Sequence, residues 1–226
     1  MTIQAVRAQS PCNTIIHRLV SMGAKVDLAV EQAIAALLGC STHQPSGLMD
    51  SAVAIQEAGI ALDQAVFTAL ESGELPASDI RHATAVININ KDLARLGKLA
   101  ANLGRKVSQV GEHREHEDLS RLQPLAIAAS HLCHQTLQSL IKMDPVLARS
   151  AAAGAASIDA YRSYVFRGPR DPKMLAYNEQ SVHLIFASRC LEQIADYAVD
   201  LAENLLVFLE GPSGLQPEEA RQQLAC

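Results

Sequence analysis

The sequence predicts an all-α protein of two tandem three-helix bundles that are related by internal duplication. Three observations support this fold class. Ala and Leu, the strongest helix formers, dominate the 226 residues, of which 49% are hydrophobic and only 4% aromatic. Apolar residues recur at helical spacing between Gly and Pro stops. The chain also matches itself after a shift of 98 residues.

The first half contains three predicted helices with clear boundaries. Gly39 ends the first helix and Gly73 ends the second. The third begins after Pro76, with Ser78 as N-cap and Asp79 in the first turn, where a carboxylate complements the helix dipole. A charged connector, GEHREHED at 111–118, then separates the halves. The predicted spans are 15–38, 48–72 and 79–110.

The second half contains three more predicted helices, over 119–142, 145–166 and 172–210. An aspartate followed by proline starts each of the last two, which is a typical N-cap with proline at the first helical position. The fifth helix starts at Asp144-Pro145 and is closed by Gly168-Pro169. The sixth starts at Asp171-Pro172 and is closed by Gly211-Pro212. We therefore predict a first repeat over 12–111, a second repeat over 119–211 and a flexible tail over 212–226.

The shift of 98 residues relates the second helix to the fifth and the third to the sixth. It pairs Leu93 with Leu191, Ala100 with Ala198, Leu103 with Leu201 and Ile60 with Ile158. One offset that serves two helix pairs indicates duplication of a three-helix unit. Each amphipathic helix needs neighbours to bury its apolar stripe, so each triplet is expected to form a bundle.

An acidic strip on the sixth helix is the candidate functional site. Glu192, Asp196, Asp200 and Glu203 follow at steps of four, four and three, which places them within about 80° on one face. Like charges at this spacing destabilise a helix unless something compensates them. A cation such as Mg, Ca, Mn or iron would do so, and Arg189 is the alternative.

Asp159 on the predicted fifth helix is a further candidate ligand. If the fifth and sixth helices pack side by side, Asp159 faces Glu192 and Asp196, and three carboxylates from two helices form a metal site. A solvated acidic face is the alternative, and ordinary helices show such patterns more often. In the first half the shift replaces these acids with neutral and basic residues such as Lys98, so we predict no metal there.

Several function classes are excluded or disfavoured. A net charge of −5 gives no electrostatic reason to bind nucleic acid. We expect no membrane insertion, because no apolar run reaches the roughly 18 residues of a membrane span. Five cysteines without CxxC spacing, and no secretory signal at the N-terminus, predict a reduced protein in the cytoplasm. Nucleotide-binding and hydrolase motifs are absent from the sequence, so we predict that the protein is not an enzyme.

Two stretches resemble the PhoU family. HLIFASRCLEQIADYAVDLAEN, followed by FLEG, looks like the C-terminal signature of that family. LPASDIRHATAVININKDLARLGKLAANL is similar to the family's first copy, whose P-x-x-D-L-R element appears as Pro76, Asp79, Ile80 and Arg81. The resemblance covers roughly residues 15–211, and the first copy of the motif is degraded.

The resemblance implies a cytoplasmic regulator of phosphate uptake and of the phosphate-starvation response. Its partners would be a sensor histidine kinase and the ATPase of the phosphate ABC transporter, and a homodimer is left open. Some family members bind multinuclear iron or zinc clusters through E/D-x-x-x-D motifs on neighbouring helices. Glu192 and Asp196 match one motif, Asp159 matches the second position of the other, and Asp200 replaces an asparagine of the family.

The motif matches imply iron, zinc or another divalent metal in the second repeat only. The alternative is a metal-binding or structural helical adaptor outside phosphate signalling, because the first copy has lost its acidic motif.

Overall fold

The described residues of the protein, in a computed structural model, are 11–39, 46–72, 77–110, 116–154, 158 and 179–211. They form six helices and no strand, which confirms the all-α prediction. The helices are α1 (Pro11–Leu37), α2 (Ser46–Glu71), α3 (Ala77–Val110), α4 (His116–Lys142), α5 (Pro145–Ala152) and α6 (Glu179–Glu210).

The helix boundaries follow the predicted stop signals closely. Gly39, two residues after the end of α1, and Gly211, directly after α6, adopt the left-handed backbone conformation, with φ of 72° and 77°. Glycine is suited to these positions because it has no Cβ to clash. Asp144 caps α5 as predicted, and its carboxylate accepts hydrogen bonds from the backbone N–H groups of Val146 and Leu147. Such a cap contributes about 1 kcal/mol.

The fifth helix is the main departure from the predicted boundaries. It was expected to continue to residue 166, but a turn at Ala153 and Gly154 interrupts it. The Gly154 N–H bonds to the carbonyl of Ala151, three residues back, which tightens the end of the helix. The predicted signals at Gly168-Pro169 and Asp171-Pro172, the candidate Asp159 and the tail 212–226 lie outside the described residues.

The two halves of the chain share one core. Helices α1, α2 and α3 pack on one another, and so do α4, α5 and α6. In addition α3 packs along α6 and α1 packs along α4. Buried apolar side chains from all six helices therefore form one continuous cluster, with Leu93 and Leu191 fully buried in it. The domain bounds 12–111 and 119–211 stay predictions.

Helix α2 bears on the expectation that no segment is long and apolar enough to span a membrane. Its span Gly47–Glu71 is long and apolar enough to cross a membrane by length and composition, with a mean hydropathy of 1.2 over 18 residues. In the structure it packs against α1 and α3. Ile55 and Leu62 are buried there, and Asp63 accepts a hydrogen bond of 2.7 Å from Asn90 on α3. These contacts make α2 a helix of the bundle.

Candidate functional site

The acidic strip on α6 divides into an inner and an outer part. Glu192 is only 7% exposed, whereas Asp196 and Asp200 are exposed. The Glu192 carboxylate accepts a hydrogen bond of 3.2 Å from the Ser188 hydroxyl, and Arg189 Nη1 lies 3.8 Å from its second oxygen. Glu192 is therefore partnered within its own helix, and Arg189 offsets part of its negative charge, as the alternative to a bound cation predicts.

A polar seam between α3 and α6 adjoins the outer part of the strip. Asp92 on α3 is buried and accepts a hydrogen bond of 2.8 Å from the Asn204 amide on α6. Arg95 Nη1 lies 3.2 Å from the other Asp92 oxygen. The Arg95 guanidinium also stacks over the Tyr197 ring, 5.1 Å from its centroid. Arg95 thus joins a carboxylate of its own helix to an aromatic ring of α6.

Asp200 completes this seam at the surface. A groove of about 310 Å³ runs along it, lined by Asn88, Lys91, Asp92, Arg95, Asp200, Glu203 and Asn204. Three of these side chains are acidic and two are basic, so the groove has no strong single-sign charge. Such a lining selects neither a free anion nor a cation by net charge.

Burial dominates the acid–base behaviour of the seam. It raises the pKa of Asp92 above 3.8, and the nearby Asp200 raises it further, while Asn204 and Arg95 lower it. Asp200 is exposed as a residue, but neighbouring atoms partly desolvate its carboxylate, which raises its pKa. Repulsion from Asp196 raises this pKa further, while Arg95 again lowers it. The cation that offsets the acidic strip at Asp200 is therefore a side chain of α3.

The predicted metal ligands do not form a complete site among the described residues. Within these ranges no three His, Cys, Asp or Glu side chains are close enough together to hold a metal ion. Glu192 points into its contact with Ser188, and Asp196 and Asp200 lie farther along the outer face. Asp159 lies outside the described residues. Metal binding at Glu192, Asp196, Asp200 and Asp159 stays a prediction.

Asp92 and Arg95 belong to the site and were not among the residues predicted from the sequence. The shift of 98 residues pairs Asp92 with Cys190, so the comparison between repeats gave it no acidic counterpart. A signal was present, because Asp92 lies three residues after Ile89 and four before Leu96, on the buried face of α3. A carboxylate within an apolar stripe requires a polar partner on a neighbouring helix.

The buried thiols offer no nucleophile. Cys133 and Cys190 are both buried and unpaired. Burial raises the pKa of the Cys190 thiol to about 11, and burial together with Asp27 raises the pKa of Cys133. Both thiols are therefore protonated at neutral pH and act as small apolar side chains of the core.

Replacing Asp200 with asparagine should change the pH dependence of stability. The raised pKa means that the folded state binds more protons than the unfolded chain above pH 3.8, so this carboxyl lowers stability as pH rises. We expect Asp200→Asn to be more favourable, relative to wild type, at about pH 7 than at about pH 4. Urea unfolding at both pH values measures this, with Asp50→Asn on α2 as the surface control. A relative stability that is equal at both pH values would contradict it.

Comparison with known proteins finds similarity to PhoU proteins in sequence and in structure. The family model described as PhoU domain matches residues 125–205. A phosphate-specific transport system accessory protein PhoU homolog from Xylella fastidiosa strain Temecula1 is 27% identical over 92% of this chain and 87% of its own length.

Two solved structures share the fold. The crystal structure of PhoU from Pseudomonas aeruginosa superposes with a TM-score of 0.79, at 20% identity, over 90% of this chain and 99% of that one. The phosphate transport system regulatory protein PhoU from Streptococcus pneumoniae gives a TM-score of 0.74, at 19% identity, over 90% and 96% of the two chains.

Proposed function

Because this chain belongs to the PhoU family, we propose that it is a cytoplasmic regulator of phosphate transport and of the phosphate-starvation response. The observation that carries the proposal is the similarity over 92% of the chain to an accessory protein of a phosphate-specific transport system. We propose further that it acts through contacts with other proteins. The expected partners are a sensor histidine kinase and the ATPase of the phosphate transporter.

Regulation by contact agrees with how the polar groups are used. Glu192 is partnered by Ser188, and Asp92 by Asn204 and Arg95. These contacts lie within α6, within α3 and between the two helices. They therefore stabilise the bundle on which partner proteins would bind. No catalytic step is part of the proposal.

Gene deletion tests the regulatory role. In phosphate-rich medium the deletion strain should express a phosphate-starvation reporter that the parent represses, and a plasmid copy of the gene should restore repression. Unchanged reporter expression in the deletion strain would contradict the proposal. The alternative of an adaptor outside phosphate signalling would be supported if purified protein bound neither the kinase nor the transporter ATPase.

Elemental analysis of purified, untagged protein tests the metal prediction. A metal held by Glu192, Asp196 and Asp159 should be present near stoichiometrically in the wild type. It should fall at least about tenfold in Glu192→Ala/Asp196→Ala, because a hard cation loses two of its oxygen ligands. Asp50→Ala/Glu71→Ala on α2 is the matched control and should retain the metal.

A wild-type protein that stays metal-free after supplementation with iron and zinc would contradict the metal prediction. The negative charge of the acidic strip would then be offset by Arg189 and Arg95 alone. The regulatory proposal would stand unchanged, because it rests on protein contacts.

A further inference from the structure

The outer face of α2 carries a row of exposed apolar side chains. Met49, Val53, Ile60 and Phe67 are 46%, 54%, 53% and 52% exposed. Val53, Ile60 and Phe67 follow at intervals of seven, and Met49 is four residues before the first. At 100° per residue the four lie within about 40° of one another. We call these four residues the α2 stripe.

The α2 stripe is fixed on the outside of the bundle. The opposite face of the helix buries Ile55, Leu62 and Val66 against the core. Asn90 on α3 donates hydrogen bonds to the Gly59 carbonyl at 2.9 Å and to Asp63 at 2.7 Å. These contacts set the rotation of α2, so the stripe cannot turn inward without breaking a buried polar contact.

A row of three acidic residues and one glutamine, here called the acidic row, runs beside the stripe. Asp50, Glu57, Gln64 and Glu71 also follow at intervals of seven, and all four are exposed. The helix contains no Lys, Arg or His. One apolar residue in every seven, with charged residues beside it at the same repeat, supplies one of the two apolar positions by which helices pair in a coiled coil, where flanking charges select the partner.

We propose that the α2 stripe is the docking surface for an amphipathic helix of a partner protein, whose apolar row is flanked by Lys and Arg. The repeat of seven favours a helix as the occupant, and the acidic row favours a basic one. The same row disfavours a second copy packed on α2, since acid would face acid. It also disfavours an anionic lipid surface, which attracts basic helices.

This inference rests on the proposed function, because it names the surface through which regulation by contact works. A partner helix on α2 would cover apolar area that water now contacts, and most of the binding energy would come from a few central side chains. Ile60 and Phe67 lie toward the centre and C-terminal part of the stripe, and Glu57 lies beside Ile60.

Fluorescence anisotropy with synthetic helical peptides tests the docking surface. The probe is a peptide of about three heptads with leucines at the seam and Lys and Arg at the flanks, and a second peptide carries Glu at those flanks. The wild type should bind the basic peptide and not the acidic one. Ile60→Gln/Phe67→Gln should weaken binding at least about tenfold.

Matched variants distinguish binding at the α2 stripe from nonspecific hydrophobic binding. Ile185→Gln on α6 and Ile127→Gln on α4 remove apolar side chains that are 51% and 54% exposed, and binding should change less than about twofold. Glu57→Lys should weaken binding of the basic peptide and strengthen that of the acidic peptide. Circular dichroism checks that each variant is folded.

Several outcomes would overturn the proposal. One is equal binding by the wild type and Ile60→Gln/Phe67→Gln. Another is a wild-type dimer that this double variant converts to monomer, which would make the occupant a second copy. A third is binding to phosphatidylglycerol vesicles that depends on Ile60.

Complementation distinguishes the two proposals. If the wild-type gene restores repression in the deletion strain and the folded Ile60→Gln/Phe67→Gln variant does not, the docking surface is supported in the cell. If the variant restores repression fully, the docking surface is overturned and the regulatory role stands. If deletion has no effect on the reporter, the proposed regulatory role is contradicted. The peptide-binding measurements then decide the docking surface separately.

Discussion

Leu93→Ala and Leu191→Ala should each lower the free energy of unfolding by about 2–5 kcal/mol. The two leucines occupy equivalent positions in α3 and α6 under the shift of 98 residues, and both are fully buried. Truncation removes apolar contact and leaves a cavity that helices packed on several sides fill only in part. Denaturant unfolding followed by circular dichroism measures the change, with Leu28→Ala as control because Leu28 is 55% exposed.

The same experiment tests whether the two halves fold as one unit. Contacts between α3 and α6 and between α1 and α4 join both halves into one apolar cluster. We therefore expect a single transition whose midpoint both substitutions lower. Two separate transitions, with Leu93→Ala moving only one and Leu191→Ala only the other, would show that the halves unfold independently.

Gly104→Leu should destabilise the protein by about 1–3 kcal/mol, through overpacking. A Cβ added at Gly104 would clash with the Cδ1 atom of the buried Leu48 on α2, and would lie 3.6 Å from its Cβ and Cγ. The new side chain has three carbon atoms beyond Cβ, and these require further volume at this contact between α2 and α3. The repeat supports this, since the shift places Gly104 on Ala202, which is also fully buried.

A second substitution tests whether steric overlap with Leu48 causes the destabilisation. Leu48→Ala should recover part of the loss in Gly104→Leu, because it empties the volume that the new side chain needs. Gly47→Leu, next to Leu48 on α2, is the control, because a Cβ added at Gly47 meets nothing within 4 Å. If Leu48→Ala adds its own full cost and recovers nothing, steric overlap with Leu48 is not the cause.

The boundaries of the helices were largely predictable because their signals are local. Gly39 and Gly211 end helices through the conformational freedom of glycine, and Asp144 caps α5 with its own side chain. The turn at Ala153 and Gly154 was missed because alanines on both sides favour a helix, and a single glycine inside such a run is a weak stop.

The candidate site was predictable only in part. The spacing of Glu192, Asp196 and Asp200 correctly placed them along α6, since helical pitch fixes which residues share a face. Their surroundings were not predictable from that spacing. Arg95 and Asp92 come from α3, about a hundred residues earlier in the chain, and nothing local to α6 indicates them.

The helical composition, the Asp144 cap, the match of the chain to itself and the family resemblance were predictable from the amino-acid sequence, because they depend on residues close in the chain or on direct comparison of residues. The predicted N-cap at Ser78 was wrong, since α3 begins at Ala77. The partners of the carboxylates and the exposed apolar face of α2 become visible only in the folded chain. Both depend on how antiparallel α3 and α6, and α2 and α3, are rotated against each other. That rotation is set by side-chain packing between distant segments.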